Sequence, residues 1–388
     1  METLKPRLRG TGRVGKAQST WARWLQFAAI GLVVTVTQMQ GNPAHAQAAS
    51  PYLLPYDVDA LLKRPAAAGG TLRACPALIP PPVALQHEPR YAAGDGSASV
   101  VDPKRAAAEI EATRPVRLFN RLIADNADLA LLRPAEARTH WLCVVTHLDH
   151  WATGGAFSGR NSMQGEFEKK WGAINYSLAF MEARPAATPQ QAQPITNWLK
   201  RMGHDVMDQY DGLVVPIGIN SKANNHAYWA ALSTTTVGMA TGDASLFDWG
   251  MKRYLSALDD IDVDGYLPLE LKRGSRALDY HRFALEPLLL LSVIARANGV
   301  NISTSKLAAL RRLVQTVQAG LSDDSQFVRR SGQQQTSDGE RKPFEWAWGE
   351  LAARMFPDMK IDQRIAGQRP YFHIWLGGDL TIRYSRQN

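Results

Sequence analysis

Arg117-Leu118-Phe119-Asn120-Arg121-Leu122-Ile123-Ala124-Asp125-Asn126-Ala127-Asp128-Leu129-Ala130-Leu131-Leu132 is the stretch that decides the fold. Phe119, Leu122, Ile123, Ala127, Ala130 and Leu131 recur at three- and four-residue steps, the spacing of one face of an α-helix. The same spacing runs through residues 107–114, 134–153 and 164–183, then through 194–210, 225–241, 244–257, 275–297, 303–322 and 344–356. Loops carrying Gly, Pro, Asn or Asp separate these segments. Neither a run of alternating strands nor an exact internal repeat interrupts them. Ten or more helices in successive antiparallel pairs predict an all-α fold in one domain, a bundle or an α/α toroid (an incomplete α/α barrel), over residues 105–388. The break richest in polar residues, 322–342, reads as a surface loop or mobile lid.

Upstream, residues 47–104 are rich in Pro, Ala and Gly, with Pro80-Pro81-Pro82 and Gly94-Asp95-Gly96-Ser97, and read as an extended arm and loop. Residues 1–46 read as an export signal. A basic region ending at Arg23 precedes the apolar run from Trp24 to Val34, and Ala44-His45-Ala46 supplies small residues for cleavage after Ala46. The run falls short of the roughly 20 apolar residues that cross a bilayer, and Thr35, Thr37 and Gln38 interrupt its extension. The mature protein is therefore expected to be soluble, periplasmic and free of the membrane.

The chain of 388 residues is 45% hydrophobic, enough for a large core and too much for a disordered chain. Its formal charge of +8 hints at nucleic acid, but the signal segment alone nets +5. Residues 47–388 hold 38 basic and 35 acidic side chains, a balance that does not suggest a nucleic-acid binder. Cys75 and Cys143 fit either a disulfide in an oxidising compartment or two buried thiols. Without a Cys-x-x-Cys they give no support to a zinc or redox motif.

Several familiar chemistries are missing. Asp260-Ile261-Asp262-Val263-Asp264-Gly265 resembles the start of a calcium loop, but the position of its bidentate Glu is Leu271. An acidic turn between helices explains it better. Ser158 misses the spacing of a nucleophile elbow, and neither a His-Glu-x-x-His nor a phosphate loop occurs.

Two segments concentrate polar chemistry. In Asn224-Asn225-His226-Ala227-Tyr228-Trp229 a helix cap explains one asparagine. His226 and Trp229, three apart, share a helix face and can line a cleft together. In Lys272-Arg273-Gly274-Ser275-Arg276-Ala277-Leu278-Asp279-Tyr280, Gly274 and Ser275 give a turn and cap with Arg273 at the helix mouth. Arg276 and Tyr280 lie one helical turn apart. An amide, an imidazole, a guanidinium and a phenol suit elimination on a uronic-acid polymer. Such a lyase neutralises a carboxylate, removes the neighbouring C5 proton and protonates the departing O4. A phenol can serve both transfers if cations depress its pKa. No metal or other cofactor is required.

These residues carry a resemblance. Asn224-Asn225-His226-x-Tyr228-Trp229, Leu246-Phe247-Asp248-Trp249, Gly265-Tyr266-Leu267-Pro268-x-Glu270-Leu271-Lys272-Arg273, Arg276-Ala277-Leu278-x-Tyr280-His281 and Leu376-Gly377-Gly378-Asp379-Leu380-Thr381 resemble, in one order, the alginate lyases of polysaccharide lyase family 5. The match is dense over about residues 195–300. The resemblance implies an α/α toroid with a deep cleft and endolytic β-elimination on poly-β-D-mannuronate, an anionic uronic-acid polysaccharide, by a monomer. It further implies that Asn225 and Arg273 neutralise the substrate carboxylate. His226 would assist them or act as base for the other epimer, and Tyr280 would act as acid and base. Arg90-Tyr91 would sit on a lid loop. Gln164, Trp229, Arg276 and Trp346 would contact the chain. Leu269, Phe283, Arg90 and residues 161–169 depart from the family pattern around the subsites, so glucuronan, hyaluronan-like and mixed uronates stay open as substrates. Two other readings are a polyuronate-binding protein without activity and a hydrolase using Asp279 and Glu270.

Overall fold

The computed structural model describes residues 50–65, 74–96, 98–212, 223–336 and 343–385. The expected export signal lies outside the described residues. A short helix in the arm, α1 (Val58–Leu62), precedes the main helical run: α2 is Pro103–Leu132, α3 Ala137–Thr153, α4 Met163–Ala183, α5 Pro189–Asp211, α6 Asn225–Thr241 and α7 Ala244–Ala257. Then come α8 (Pro268–Leu271), α9 (Ala277–Ala297), α10 (Thr304–Ser322), α11 (Ser325–Ser331), α12 (Trp348–Met355), α13 (Ile361–Ile365) and α14 (Leu380–Tyr384). The described strands are the two-residue β1 (Phe372–His373) and β2 (Gly378–Asp379), paired antiparallel.

The helices form two concentric rows. α2, α4, α6, α9 and α12 pack in succession as the inner row, while α3, α5, α7 and α10 flank them outside. α14 touches both α12 and α2, so the C-terminal segment brings the two ends of the inner row together. This is the α/α toroid. α6 shows why an inner helix looks as it does: Ala227 to Ala240 are buried on every side. A helix without a solvent face has no amphipathic stripe. Gly250 permits the α6–α7 contact, since a Cβ there would lie 2.5 Å from the Ala231 carbonyl oxygen.

Two helices run longer than their periodicity predicts. α2 is continuous across residues 107–132 with Pro115 inside it, and α5 starts at Pro189 with Pro194 inside it. The proline at 115 frees the carbonyl of Glu111, an exposed residue that water can satisfy. α5 starts earlier because Thr188 and Gln191 form a capping box.

The arm is fastened to the toroid at many points. Tyr52 stacks on Phe247 with ring centroids 4.2 Å apart. Cys75 and Cys143 form a disulfide with Cα atoms 5.6 Å apart, tying the arm to α3. Next to it Trp151 Nε1 donates to the Ile79 carbonyl at 2.8 Å, and the Phe157 and Gly159 amides donate to Pro82 and Val83, also at 2.8 Å. Gly165 at the start of α4 leaves room for this strap, because a Cβ there would fall 2.2 Å from the Leu85 oxygen. Reduction, or Cys143→Ser, should lower unfolding free energy by about 2–4 kcal/mol. The check is the guanidinium midpoint with and without reductant.

The stretch at 322–342 is not a lid where it is described. It contains α11, and Gln333 and Gln335 then hydrogen-bond the amides of Ser275 and Leu278 at 3.0 Å each. It braces the start of α9. The acidic turn at 260–265 is also occupied internally: Asp262 accepts from the Asp264 and Tyr266 amides, and Tyr228 donates to Asp260 at 3.0 Å.

Candidate active site

A cleft of about 1000 Å³ opens among α2, α4, α6, α9, the C-terminal segment and the loop around residues 87–98. That loop is a narrow hairpin. Ala92 donates to the Val100 carbonyl and Asp102 to the Arg90 carbonyl, both at 2.9 Å, and the Asp95 carboxylate accepts from the Ser99 and Val100 amides. It holds Arg90 and Tyr91 over the cleft.

Tyr280, at the first turn of α9, meets Tyr91 hydroxyl to hydroxyl at 2.8 Å. The Arg273 guanidinium lies over the Tyr280 ring, 3.6 Å from its centroid. Gly274 makes this possible, because its φ of +58° turns the chain between Arg273 and α9 at low cost. The helix itself starts at Ala277, after one 3₁₀ turn over Gly274–Arg276. Burial raises the Tyr280 phenol, Tyr91 adds to the rise, and Arg273 and Arg276 oppose it. Burial thus outweighs the two cations, and the condition that they depress the phenol is not met in this structure.

His226 enters from the first turn of α6. Its ring stacks on Phe167, centroids 4.1 Å apart, and its Nδ1 has no hydrogen-bond partner. Burial holds its pKa well below the usual value, and Lys170 and Arg273 push the same way, so the imidazole is neutral. Below it Lys170 is fully enclosed, bonding the Tyr210 hydroxyl at 2.7 Å and the His226 carbonyl at 3.2 Å.

Asn225 is where the structure departs most from expectation. The residue is wholly buried and is not part of the cleft lining. Its amide nitrogen stands 3.0 Å from both Glu270 oxygens, and its backbone N–H donates to Glu270 at 2.7 Å. Asn225 thus clamps the start of α6 to Glu270, while Arg273 and His226 are the expected residues that face the cleft. Asn224 is the helix cap, accepting from the His226 amide at 3.0 Å. His281 is likewise structural: Nδ1 bonds the Ala277 carbonyl at 2.7 Å and Nε2 accepts from the Leu267 amide at 2.9 Å.

Gln164, Arg90, Tyr91 and Arg276 line the cleft as expected from the sequence. Arg90 is already forked onto Glu109, at 2.8 and 3.1 Å, and Arg276 reaches Asp279 at 3.1 Å. Trp229 and Trp346 do not line it. Trp229 shares a face with His226 but sits one turn deeper, fully buried, with Nε1 donating to the Phe283 carbonyl at 3.1 Å. Trp346, in the turn before α12, stacks on Trp348 away from the cleft.

The aromatic surface is supplied by residues other than the two tryptophans expected to contact the chain. Trp171 and Trp375 stack at 4.5 Å with Phe283 edge-on to both, and all three line the cleft. Trp375 comes from a single 3₁₀ turn, Ile374–Leu376, with no periodicity to mark it. Trp171 follows Lys170 in a helix buried nearly all round. Six arginines line the cleft against Asp95, Glu109, Glu168 and Asp279, a field suited to a polyanion. The two carboxylates a hydrolase would need are not paired across it. Glu270 is bound to Asn225, outside the lining.

Comparison with known proteins agrees with this architecture. The family model described as alginate lyase matches residues 81–327. An alginate lyase of Pseudomonas fluorescens (strain SBW25) is 31% identical over 322 residues, 80% of this chain and 84% of that protein. One from Cobetia marina is 32% identical over 311 residues, 77% of this chain and 80% of the other. Among solved structures, alginate lyase A1-III from Sphingomonas species A1 superposes with a TM-score of 0.72 at 20% identity, covering 86% of this chain and 96% of its own. A variant of A1-III complexed with a tetrasaccharide gives 0.73 with the same coverage. At that identity the structures speak for a shared fold. The family match and the curated relatives go further: the chain belongs to the alginate lyase family.

Proposed function

We propose that the protein is a polysaccharide lyase that cleaves poly-β-D-mannuronate by β-elimination without a metal, leaving a 4,5-unsaturated uronate at the new non-reducing end. We further propose that it acts as a periplasmic monomer, exported by the signal read in residues 1–46. The reading rests above all on one observation. A phenol, a guanidinium and a neutral imidazole from α9, the preceding loop and α6 converge in a single cleft rich in arginine.

Arg273 and an N–H of neutral His226 take the substrate carboxylate, offsetting the charge that develops when the C5–H bond breaks. In mannuronate the C5 proton and O4 lie on one face, so one oxygen can serve both transfers. As phenolate, Tyr280 takes the C5 proton. The electron pair forms the C4–C5 double bond, the C4–O4 bond breaks, and Tyr280 returns the proton to O4. Its hydroxyl contact with Tyr91 gives the resting proton a way out before turnover. Trp171, Trp375 and Phe283 provide faces on which sugar rings stack. Arg273 supplies the positive charge a metal would otherwise bring.

The test is a panel of purified polymannuronate, polyguluronate and glucuronan, read by the growth of ultraviolet absorbance from the unsaturated product. Polymannuronate should give the fastest initial rate, unchanged after treatment with a chelator. A faster rate on glucuronan would move the substrate assignment. Loss of activity with chelator, restored by calcium, would contradict the metal-free mechanism.

A further inference from the structure

Glu168 has no part in the chemistry above, yet its position is unusual for a cleft that takes a polyanion. It lies on α4, is 5% exposed, and forms part of the cleft wall. Among the described residues no hydrogen bond or ion pair reaches its carboxyl group. The charged groups facing it are Arg117 and Glu109 from α2 and Arg90 from the hairpin loop. Both arginines are already engaged by Glu109: Arg90 forks onto it, and Arg117 Nη2 stands 3.4 Å from its Oε1. On its own helix Lys169 turns to Glu166 and Asp205, and Lys170 to Tyr210. Tyr176, further along α4, is a buried phenol whose hydroxyl has no partner. Asn120 of α2 lines the same cleft with its Oδ1 unpartnered.

An ionised carboxylate enclosed this way keeps little water and only arginines it shares with Glu109, which is costly. Burial accordingly raises Glu168 to about 7, with Arg117 and Arg90 opposing the rise and Glu109 adding to it. A uronate chain entering the cleft brings further negative charge and removes remaining water. Both changes favour the neutral acid. A neutral carboxyl can donate its proton to a uronate oxygen, where an ionised one would repel the chain.

We propose that Glu168 is a substrate-binding residue that meets the polyuronate as a neutral carboxylic acid and donates a hydrogen bond to it, so that the cleft takes up a proton together with the chain. This rests on the polyuronate reading of the site. The proton comes from solvent, and no covalent bond in the substrate changes. Below pH 7 the acid form is already present and binding needs no proton. As pH rises above 7, binding must recover that proton and the apparent Kd climbs.

The experiment uses the Tyr280→Phe protein, expected to turn over slowly enough for binding to be read, with mannuronate oligosaccharides. Calorimetry at pH 8 in two buffers of different ionisation heat should give an uptake of about one proton per site. The apparent Kd should rise roughly ten-fold or more between pH 6 and pH 8.5. Adding Glu168→Gln, which keeps a donor of the same shape, should abolish the uptake and flatten the pH dependence. An uptake that survives Glu168→Gln would belong to another group, His226 foremost, and would overturn the proposal. Absence of uptake in the parent would overturn it as well. A second measurement does not depend on the Gln variant folding: the infrared carbonyl band of a protonated glutamic acid should appear on chain binding at pH 8, and its absence counts against the idea. Failure of the parent to bind any polyuronate would instead strike at the functional reading beneath it.

Discussion

Tyr280→Phe lowers turnover by roughly 100-fold or more while polymer binding stays within a few-fold. The substitution keeps the ring under the Arg273 guanidinium and removes only the hydroxyl that meets Tyr91. Arg273, His226 and the aromatic wall remain to hold the chain. The same account gives a pH dependence in the wild type. Burial raises the phenol pKa, so the phenolate that takes the C5 proton is scarce at neutral pH. Turnover should therefore climb as pH rises from neutral into the alkaline range, and the climb should vanish in the Phe variant. Initial rates of product absorbance across pH, paired with a binding assay, are the measurement. If Tyr280 were a packing residue, the Phe variant would keep near-normal kinetics. Retention of more than about a tenth of turnover would remove Tyr280 from the chemistry.

The second large effect lies far from the cleft. Arg383 of α14 is buried between two carboxylates. It reaches Glu182 of α4 at 2.9 and 3.3 Å and pairs with Asp128 of α2. Tyr56 from the arm adds a 2.5 Å bond to Glu182. One guanidinium thus joins the C-terminal helix to two inner-row helices, close to where the toroid's ends meet. Replacing it by Met preserves much of the side-chain volume but leaves Asp128 and Glu182 buried without their cation. Breaking such a pair by removing one partner costs about 3–5 kcal/mol. The denaturant midpoint of Arg383→Met should fall accordingly, and turnover of the remaining folded protein should stay near wild type. An unchanged midpoint would mean that water or rearrangement satisfies both carboxylates.

Much of the fold was legible because outer helices such as α5 carry one apolar face and one wet face, and the three-to-four spacing results from that. Legibility failed at particular residues for physical reasons. Pro115 and Pro194 read as helix breaks, but each sits where the backbone tolerates it. Residues 322–336 read as a mobile segment because they are polar. Their glutamines instead satisfy amides at the start of α9, a use of polar side chains that spacing does not announce.

The site divides in the same way. His226, Arg273 and Tyr280 could be picked out because each lies at a helix entrance marked by Asn or Gly. Asn225 carried the same mark, yet its amide is held by Glu270, a partner 45 residues away that only the fold brings near. Trp229 was expected in the cleft because it shares a helix face with His226. Depth along the inner row decided otherwise, and one turn was enough to bury it behind Phe283. Trp375 and Glu168 were hidden for a different reason. α4 is surrounded on nearly all sides, so no face of it stands out, and Trp375 sits in a single 3₁₀ turn, too short to show a periodicity.

The central claim, that this cleft breaks the chain by elimination, is tested most directly by the ends it makes. Wild-type protein is incubated with polymannuronate in water enriched in heavy oxygen, and the products are read by mass. Elimination predicts oligosaccharides with an unsaturated non-reducing end, lighter by one water than the hydrolysis product, with no solvent oxygen introduced by the cleavage step. Saturated products carrying solvent oxygen from the cleavage step would contradict it.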